Sequence, residues 1–436
     1  MNEELKAIDL FAGAGGLSRG IEEAGFDVIW AIDHEENCKP TFEANHDAEL
    51  EVADITETTP PDLGLEEGEL DLIVGGPPCP TFSMVGRSKI NSIEGRNNKE
   101  DDRHQLYQDF LRFVDHFRPK AFVMENVEGM TSAENKDGEP VVEVIKEEMR
   151  ELGYEVKAKV LDAANFGVPQ HRKRIVFIGN RIGKENPDME DWRTHRKPMN
   201  EEEKKMKFYR DEGPEDDNQQ TIGGFSEEDD EFPTFEKNRQ REPWNTVGDA
   251  ILELPPVSPD GNTPPTECKE YTIPAISEYQ HWARDLDGED WEEAELDSHV
   301  CRGHNMRDLT IYKFLCESSS HIIGDLPDDI NPYRTDIFQD KIKSQDPKKP
   351  SSTVVAHLYK DGHMFAHPTE ARSITVREAA RLQSFKDSFT FPVARTHAFK
   401  QIGNAVPPLL GQAIGTAVRE EIFGIENEEK ADKISQ

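Results

Sequence analysis

Short apolar runs alternate with helical repeats over the first 180 residues, and this alternation restricts the possible folds more than any other feature. Five runs predict strands: Ala7–Phe11, Val28–Ile32, Leu72–Val74, Ala121–Met124 and Ile175–Ile178. Apolar residues at helical spacing predict helices at Leu17–Ala24, through Leu106, Phe110, Phe113 and Phe117, and through Val141, Ile145, Met149 and Leu152. Alternating strands and helices are typical of an α/β fold with a largely parallel sheet, covered by helices on both faces.

The rest of the chain follows a different pattern. From about residue 181 to residue 369 periodicity is weak, and Pro and charged residues are frequent. Residues 211–231 carry ten acids and no Lys or Arg, which indicates a solvated insertion. Helical patterns return at Val376–Phe385 and Pro408–Ile422. We therefore divide the chain into residues 1–180, 181–371 and 372–422, followed by a frayed tail at 423–436.

Composition narrows the functional classes. No stretch of eighteen apolar residues could span a membrane, and the acidic N-terminus lacks the layout of a signal peptide. The five cysteines are irregularly spaced, which argues against a disulfide framework and favours a reducing cytoplasm. The net charge of -37 is unusual for a nucleic-acid-binding protein. It indicates either another kind of partner or a salty cell, because excess surface carboxylate keeps halophilic proteins soluble.

A glycine-rich turn follows the first predicted strand, in the segment DLFAGAGGLSRG from Asp9 to Gly20. Glycines let the backbone approach a ligand closely, and the following helix offers free N–H groups at its N-terminus. Asp33 ends the second strand, twenty residues after Gly13, where an acid can bind both hydroxyls of a ribose. Asp54 could accept a hydrogen bond from the exocyclic amine of an adenine. The pattern indicates a nucleoside-containing cofactor, although a tight turn with a surface Asp would look the same.

A cysteine between two prolines is the sharper signal. The segment GGPPCPTFS follows a buried-type strand, so Cys79 is expected at the carboxyl edge of the sheet, where α/β enzymes bind ligands. Pro78 and Pro80 fix the backbone and prevent a continuing strand or helix. A lone cysteine is most often a core residue, but flanking prolines make a regular core element an unlikely setting for Cys79.

Two further segments carry polar side chains next to predicted strands. Glu125 and Asn126 directly follow the predicted strand AFVM. A carboxylate at the end of a buried strand is costly unless it is hydrogen-bonded or functional, so Glu125 could be a general acid or part of a structural ion pair. In QHRKR, Arg172 and Arg174 alternate with His171 and Lys173, so in an extended segment the two arginines share one face. Two guanidinium groups on one face suit a phosphate or a base edge, with salt bridges to nearby carboxylates as the alternative.

Together these segments resemble the motifs of the cytosine C5 DNA methyltransferases of bacteria and archaea. DLFAGAGGLSRG is similar to their cofactor motif, GGPPCPTFS to their nucleophile motif, MENV to their glutamate motif and QHRKR to their Q-x-R-x-R motif. RSITVREAARLQSF and QIGNAVPPLLGQAIG, near the end of the chain, resemble the last two motifs. The motifs occur in the usual order across residues 8–418. The segment between QHRKR and RSITV corresponds to the variable target-recognition domain of that family.

The resemblance implies a Rossmann-like, S-adenosylmethionine-dependent methyltransferase domain with a smaller, irregular target-recognition domain. Residues 1–180 would form the catalytic and cofactor-binding domain, 181–371 the recognition domain, and 372–422 a segment that returns to the catalytic domain. The implied catalytic residues are Cys79, Glu125, Arg174, Arg172 and Asn126. The implied cofactor-binding residues are Phe11, Gly13, Gly15, Asp33, His34, Asp54, Ile55, Pro78, Leu106, Asn404 and Val406.

The implied reaction transfers a methyl group from S-adenosylmethionine to C5 of a cytosine that is flipped out of double-stranded DNA, through a covalent adduct of Cys79. We expect a cytoplasmic monomer, with a restriction endonuclease as a genetic partner or a role of its own. His299, Cys301, His304 and Cys316 lie within eighteen residues, but their spacing matches no common zinc finger, and we predict no metal. With this resemblance, the halophile interpretation of the charge is the better one.

Three other functions compete with this prediction. A tRNA cytosine C5 methyltransferase would keep the same catalytic motifs, but its hallmark Cys-Phe-Thr segment is not visible in the recognition region. A catalytically dead DNA-binding relative would show damage at Cys79, Glu125 or Arg174, and all three residues are present. An amino-methyltransferase would replace the Pro-Cys motif with Asp/Asn-Pro-Pro-Tyr/Phe, which is absent.

Overall fold

A seven-stranded sheet forms the centre of the computed structural model. The structure describes residues 5–78, 106–135, 137–199, 235–258, 268–285, 291, 294–317, 326–327, 329–331, 343–359 and 364–426. The strands of the sheet are β1 (Leu5–Leu10), β2 (Phe26–Asp33), β3 (Leu50–Val52), β4 (Leu72–Gly75), β5 (Ala121–Val127), β6 (Glu155–Asp162) and β7 (Lys173–Asn180). They lie in the order β3-β2-β1-β4-β5-β7-β6.

The pairing of the strands confirms the predicted α/β class and refines the prediction of a parallel sheet. The first five strands in that order pair in parallel. Strand β7 is antiparallel to both of its neighbours, β5 and β6. The side chains of β1 alternate between the two faces, since Ala7 belongs to one apolar cluster while Ile8 and Leu10 belong to the other.

Helices cover both faces of this sheet. In the part of the chain that the structure describes, the helices are α1 (Gly16–Glu23), α2 (Lys39–Asn45), α3 (Leu106–Phe117), α4 (Val141–Glu151), α5 (Val247–Ile251), α6 (Glu278–Arg284), α7 (Met306–Glu317), α8 (Val376–Leu382), α9 (Arg395–Asn404) and α10 (Pro408–Glu421). Helices α3 and α4 share a cluster with Ile8 and Leu10, whereas α1 and α10 pack on the opposite face. A two-residue pairing of β8 (His195–Arg196) with β9 (Glu242–Pro243) lies outside the main sheet. None of the described helices is both long enough and apolar enough to cross a membrane.

The C-terminal helix α10 returns to the first helix and packs closely along it. A Cβ atom on Gly20 would lie 2.3 Å from the carbonyl oxygen of Pro408, and one on Gly415 would lie 2.6 Å from the Cβ atom of Ala24. Glycine is therefore required at Gly20 because any side chain there would overlap the backbone of the neighbouring helix. This contact places the chain just before α10 next to the glycine-rich turn.

Candidate active site

A cavity of about 330 Å³ opens at the carboxyl edge of the sheet, where β1, β2, β4 and β5 end. Ligands bind at this edge in open α/β folds because the loops that follow the strands converge there. The cavity brings together most of the residues that the motifs predicted. Its described lining includes Phe11, Gly13, Asp33, His34, Pro78, Glu125, Asn126, Arg172, Arg174, Asn404 and Val406.

The turn after β1 has a left-handed backbone at three positions. Phe11, Gly13 and Gly15 have φ values of 64°, 57° and 89°. The N–H group of Gly13 donates to Asp33 Oδ2 at 2.9 Å, which joins the turn to the end of β2. Beyond the two chain neighbours of Gly13, no atom of the described residues lies within 4 Å of the position that its Cβ would occupy, so the described part of the chain leaves this side of the turn open to a ligand.

Gly15, which was predicted to bind the cofactor, lies in the same turn with its Cα facing a neighbouring side chain. It is not among the described residues that line the cavity. A Cβ atom on Gly15 would lie 2.1 Å from Nε2 of His46, whose side chain is buried and whose Nδ1 lies 2.8 Å from Glu22. The structure therefore uses Gly15 to pack the turn against His46.

Asp33 lies where β2 ends, and both of its carboxylate oxygens are engaged. Oδ2 accepts from Gly13, and Oδ1 accepts from the N–H group of Glu35 at 2.8 Å. Burial raises the pKa of Asp33, while these two hydrogen bonds oppose the rise. Each oxygen keeps a further lone pair, so the carboxylate can still accept from a hydroxyl group. The neighbouring His34 side chain is 62% exposed at the mouth of the cavity.

The predicted adenine-binding residues lie beyond the described lining of the cavity. Asp54 is exposed in the turn after β3, and its Oδ1 accepts from the N–H and Oγ1 of Thr56 at 2.9 and 2.8 Å. Ile55 is buried in the same apolar cluster that Leu106, at the start of α3, packs against. The structure thus groups Asp54 and Ile55 in one turn, but it does not bring them or Leu106 into the cavity itself.

The segment that leads to the predicted nucleophile forms part of the cavity wall. Gly76, Pro77 and Pro78 line it directly after β4, and Cys79 lies outside the described residues. The side-chain amide of Asn126 donates to the carbonyl oxygen of Pro77 at 2.9 Å, and Asn126 is buried. Asn126 therefore fixes the position of this segment from the neighbouring strand.

Glu125 and Arg174 form an ion pair in the cavity. Arg174 Nε lies 2.6 Å from Glu125 Oε1, and the two side chains are only 15% and 13% exposed. A Cβ atom on Gly76 would lie 3.1 Å from Glu125 Oε2, so glycine leaves room for the carboxylate beside the segment of Pro77 and Pro78. The pair places one acidic and one basic group in the same cavity as the segment Gly76–Pro78, which leads to the predicted nucleophile in the sequence.

Arg172 is directed differently from Arg174, although both line the cavity. Its side chain is buried and donates to the backbone carbonyl oxygens of Val354 at 3.0 Å, Gly403 at 3.2 Å and Asn404 at 3.4 Å. These contacts tie β7 to the end of α9. The pattern QHRKR suggested that this guanidinium group could bind a phosphate or a base edge. In the structure it binds backbone carbonyl oxygens.

Several residues of the cavity were not among the predicted site residues. His397, Lys400 and Gln401 line it from α9, on the same helix face as Asn404. Their spacing of three and four residues is typical of one helix face, but apolar periodicity in this region predicted only the later helix at Pro408–Ile422. Lys400 Nζ lies 2.6 Å from Glu35 Oε1 and joins α9 to the segment after β2.

Asp9 was also missed as a cavity residue. Its carboxyl group is 1% exposed, and Oδ2 accepts from Ser18 Oγ at 2.5 Å. Oδ1 has no hydrogen-bond partner within the described ranges. Burial raises the pKa of Asp9 to about 7. No sequence pattern reveals that an acid inside a strand lies so deep.

The cluster of His299, Cys301, His304 and Cys316 is engaged in other contacts. His299 Nε2 lies 2.7 Å from the carbonyl oxygen of Pro255, and the thiols of Cys301 and Cys316 donate to backbone carbonyl oxygens at 3.2 Å. Burial raises the pKa of each thiol to about 11, which disfavours the thiolate that a metal would need. Among the described residues, no three His, Cys, Asp or Glu side chains are arranged to hold a metal ion.

The sequence is similar to those of two type II methyltransferases. The chain is 31% identical to the type II methyltransferase M.AgeI of Thalassovita gelatinovora, over 95% of this chain and 99% of the relative. It is 30% identical to the type II methyltransferase M.DdeI of Desulfomicrobium norvegicum, over 95% of this chain and 88% of the relative.

A solved structure has the same overall fold. It is described as a DNA modification methyltransferase encoded within a prophage of E. coli. It matches with a TM-score of 0.63 and 20% identity, over 96% of this chain and 99% of that one. The family model for the C-5 cytosine-specific DNA methylases matches residues 5–420, and the chain belongs to that family.

Proposed function

We propose that the protein transfers a methyl group from S-adenosylmethionine to C5 of a cytosine in a specific double-stranded DNA sequence, with Cys79 as the nucleophile. The observation that carries the proposal is the Glu125–Arg174 ion pair beside the segment Gly76–Pro78, in the same cavity as the glycine-rich turn and Asp33. One cavity thus combines groups for a pyrimidine ring with groups for a nucleoside cofactor. The family description names DNA, which favours DNA over the tRNA alternative.

The residues of the cavity fit S-adenosylmethionine. Asp33 has lone pairs left for the ribose hydroxyls, and the open side of Gly13 allows a ligand to lie against the turn. Asn404 and Val406 close the opposite wall, where a Cβ atom on Gly16 would lie 2.4 Å from the carbonyl oxygen of Val406. We place the adenine at the rim, towards Asp54 and Ile55. When bound, the cofactor supplies an electrophilic methyl group on a sulfonium sulfur.

In the proposed reaction, the residues of the chain prepare the cytosine. The thiolate of Cys79 forms a bond to C6, and Glu125 holds a proton at N3, so that the electron pair moves to C5. C5 then takes the methyl group, and S-adenosylhomocysteine is the leaving product. The proton of C5 passes to water, the electron pair of that C–H bond forms the C5–C6 double bond, and the bond between sulfur and C6 breaks, so that the thiolate is free again. The proton at N3 returns to Glu125. This covalent route divides one difficult step into easier ones. Arg174 keeps Glu125 in place and can donate to the cytosine O2.

We assign Arg172 and Asn126 to positioning within this scheme. Arg172 binds three carbonyl oxygens and Asn126 binds Pro77, so both hold the backbone around the reacting groups. Neither needs to touch the cytosine. Both residues therefore contribute to catalysis by fixing the walls of the cavity.

The substrate and the biological role follow from the same proposal. A cytosine stacked in a duplex cannot reach Cys79, so the base must flip out, at a cost of roughly a few kcal/mol. Residues 181–371 would supply the recognition contacts that offset this cost. The relatives named above are type II methyltransferases, which supports a modification role alongside a restriction endonuclease. We propose that the protein acts as a monomer in the cytoplasm of a halophilic cell, as the charge of -37 suggests.

Bisulfite sequencing tests the proposal. The gene is expressed with a plasmid, at a salt concentration in which the protein folds, and the plasmid is sequenced after bisulfite treatment. We expect protection of cytosines within one short motif by the natural protein and none by Cys79→Ala. Absence of protected cytosines with the natural protein would contradict the proposal. Protection that persists in Cys79→Ala would contradict the assigned nucleophile.

A further inference from the structure

Arg112, on α3, holds the turn that contains Asp54 and Ile55. Its Nη2 donates to the carbonyl oxygen of Ile55 at 2.5 Å, and its Nη1 donates to that of Thr58 at 2.9 Å. The two carbonyl groups belong to the same turn and lie three residues apart. A planar guanidinium group can serve both at once, whereas a lysine ammonium group on its flexible stem cannot hold them in the same geometry.

Arg112 is itself held in place by its own helix. Asp109 Oδ1 lies 3.2 Å from Nη2, and the guanidinium carbon lies 5.0 Å from the centre of the Phe113 ring. The Phe113 ring stacks on Trp30 of β2, with 6.0 Å between ring centres. The guanidinium group is therefore fixed relative to both α3 and the sheet.

The turn depends on such support because the strand before it contributes little. Strand β3 is three residues long, lies at the edge of the sheet and pairs only with β2. Within the turn, Thr56 Oγ1 donates a hydrogen bond to Asp54 Oδ1 at 2.8 Å, and Thr58 Oγ1 donates to the carbonyl oxygen of Asp54 at 2.7 Å. The hydrogen bonds from Thr56 lower the pKa of the Asp54 carboxyl group, which is therefore anionic at neutral pH. Asp54 is exposed, and within the described ranges only its Oδ1 accepts a hydrogen bond, which leaves Oδ2 for a ligand.

We propose that Arg112 is a positioning residue for the cofactor, since it fixes the turn from which Asp54 accepts the exocyclic amine of the adenine. The inference rests on the proposed function, because it requires the adenine to lie at this turn. It adds a residue that none of the motifs contains. It also predicts that Arg112 affects recognition of the amine rather than cofactor binding in general.

Binding of two ligands by isothermal titration calorimetry tests the inference. S-adenosylhomocysteine carries the exocyclic amine, and S-inosylhomocysteine carries an oxygen in its place. In Arg112→Lys, we expect the affinity for S-adenosylhomocysteine to fall about tenfold. The affinity for S-inosylhomocysteine should change less than about twofold, so that discrimination between the two ligands decreases. Arg150→Lys, which alters an exposed arginine paired with Glu147 on α4, is the matched control and should bind both ligands as the natural protein does.

Further variants separate positioning from stability. Asp54→Asn should also reduce the discrimination, and adding Arg112→Lys to it should have little further effect, because both changes act on one contact. Asp109→Asn removes a side support of Arg112 and should give a smaller change in the same direction, which keeps the test decisive if Arg112→Lys fails to fold. Equal weakening of both ligands, or unchanged discrimination, would overturn the inference and leave the proposed function intact. Failure of the natural protein to bind S-adenosylhomocysteine would overturn both.

Discussion

The Glu125 carboxylate lies 2.6 Å from Arg174 Nε, although the two residues are not direct partners in the sheet. In the antiparallel register of β5 and β7, Glu125 faces Val176, and Arg174 faces Val127. The two side chains are diagonal neighbours two residues out of register, and such neighbours share one face of a sheet. Because β7 runs antiparallel to β5, its first residues lie beside the last residues of β5. The guanidinium group of Arg174 therefore contacts the Glu125 carboxylate at the edge of the cavity.

We predict that Glu125→Gln lowers kcat by about 100- to 10,000-fold, the range typical for loss of a general acid. The amide keeps the shape of the side chain but carries no acidic proton for N3 of the cytosine. Methyl transfer from radiolabelled S-adenosylmethionine to plasmid DNA measures the change. Binding of S-adenosylhomocysteine should stay within about twofold, since the cofactor contacts lie elsewhere in the cavity.

Glu128→Gln provides the matched control for that experiment. Glu128 follows Glu125 by three residues and lies 3.7 Å from Lys173, with its side chain 49% exposed. Its replacement should leave kcat unchanged within about twofold, because exposed ion pairs contribute little. Equal activity of Glu125→Gln and the natural protein would show that Glu125 is not the proton donor.

A second prediction concerns the packing of α1 against α10. A Cβ atom at residue 20 would lie 2.3 Å from the carbonyl oxygen of Pro408, and backbone cannot move as easily as a side chain. We expect Gly20→Ala to lower the free energy of unfolding by about 1–3 kcal/mol or more. Gly303→Ala is the control, since Gly303 has no atom of another described residue, apart from its chain neighbours, within 4 Å of its Cβ position. Urea unfolding of both variants measures the difference, and equal midpoints would contradict the described packing.

The sequence predicted the positions of the strands better than their directions. Hydrophobic periodicity located β1, β2, β4, β5 and β7 within a few residues, because their apolar side chains reach both clusters. It missed β3, which is three residues long, and β6, whose pattern alternates charged and apolar residues. It also could not show that β7 runs antiparallel, since direction depends on the connection through β6.

The residues of the cavity were also only partly predictable from the sequence. Motif spacing located Asp33, Glu125 and Arg174, which all line the cavity, because each lies near the end of a strand at that edge of the sheet. Asp33 and Glu125 lie near the carboxyl ends of β2 and β5, and Arg174 lies near the start of the antiparallel strand β7. It treated Arg172 like Arg174, since alternation along an extended segment cannot show which carbonyl groups lie beneath a side chain. The partners of Arg172 at residues 354, 403 and 404 come from segments about 180 to 230 residues away.

A third prediction follows from the raised pKa of Asp9, which is about 7 in the folded protein against 3.8 for an ordinary Asp. Between these two values the unfolded chain loses the proton and the folded protein keeps it. Stability is therefore greatest below pH 4 for this group, and it falls as the pH rises to about 7. The expected loss is on the order of 4 kcal/mol.

Asp9→Asn isolates this effect from the other carboxylates. The variant cannot ionise at residue 9, so its free energy of unfolding relative to the natural protein should rise between pH 4 and pH 8. Chemical unfolding at four pH values in this range measures the difference. A difference that stays constant with pH would show that Asp9 ionises normally in the folded protein.

A fourth prediction concerns Arg381, which joins three segments of the chain through buried ion pairs. Its Nη1 lies 2.6 Å from Glu253 Oε1, and its Nη2 lies 2.5 Å from Asp387 Oδ2, with all three side chains almost inaccessible. Arg381→Met would remove the nearest cation of both buried carboxylates, leaving Arg284 at 3.9 Å from Glu253 and Arg377 at 3.6 Å from Asp387. We therefore expect a loss of about 3 kcal/mol in the free energy of unfolding. Arg150→Met, at an exposed pair, should change it by less than about 0.5 kcal/mol. Similar unfolding curves for the two variants would contradict a structural role of the buried network.

The last prediction concerns the net charge of -37. DNA affinity usually falls with added salt because bound cations are released, with a log–log slope of about -0.9 for each phosphate that a protein neutralises. A surface so rich in carboxylates offers few such contacts and repels the duplex at low salt, and salt screens this repulsion. We therefore expect a shallow slope and methyl transfer that persists at molar salt. Fluorescence anisotropy with labelled duplex DNA across a salt series measures the slope, and methyl-transfer assays follow activity in the same buffers. A steep loss of binding between low and moderate salt would contradict the halophile interpretation, while leaving the proposed reaction unaffected.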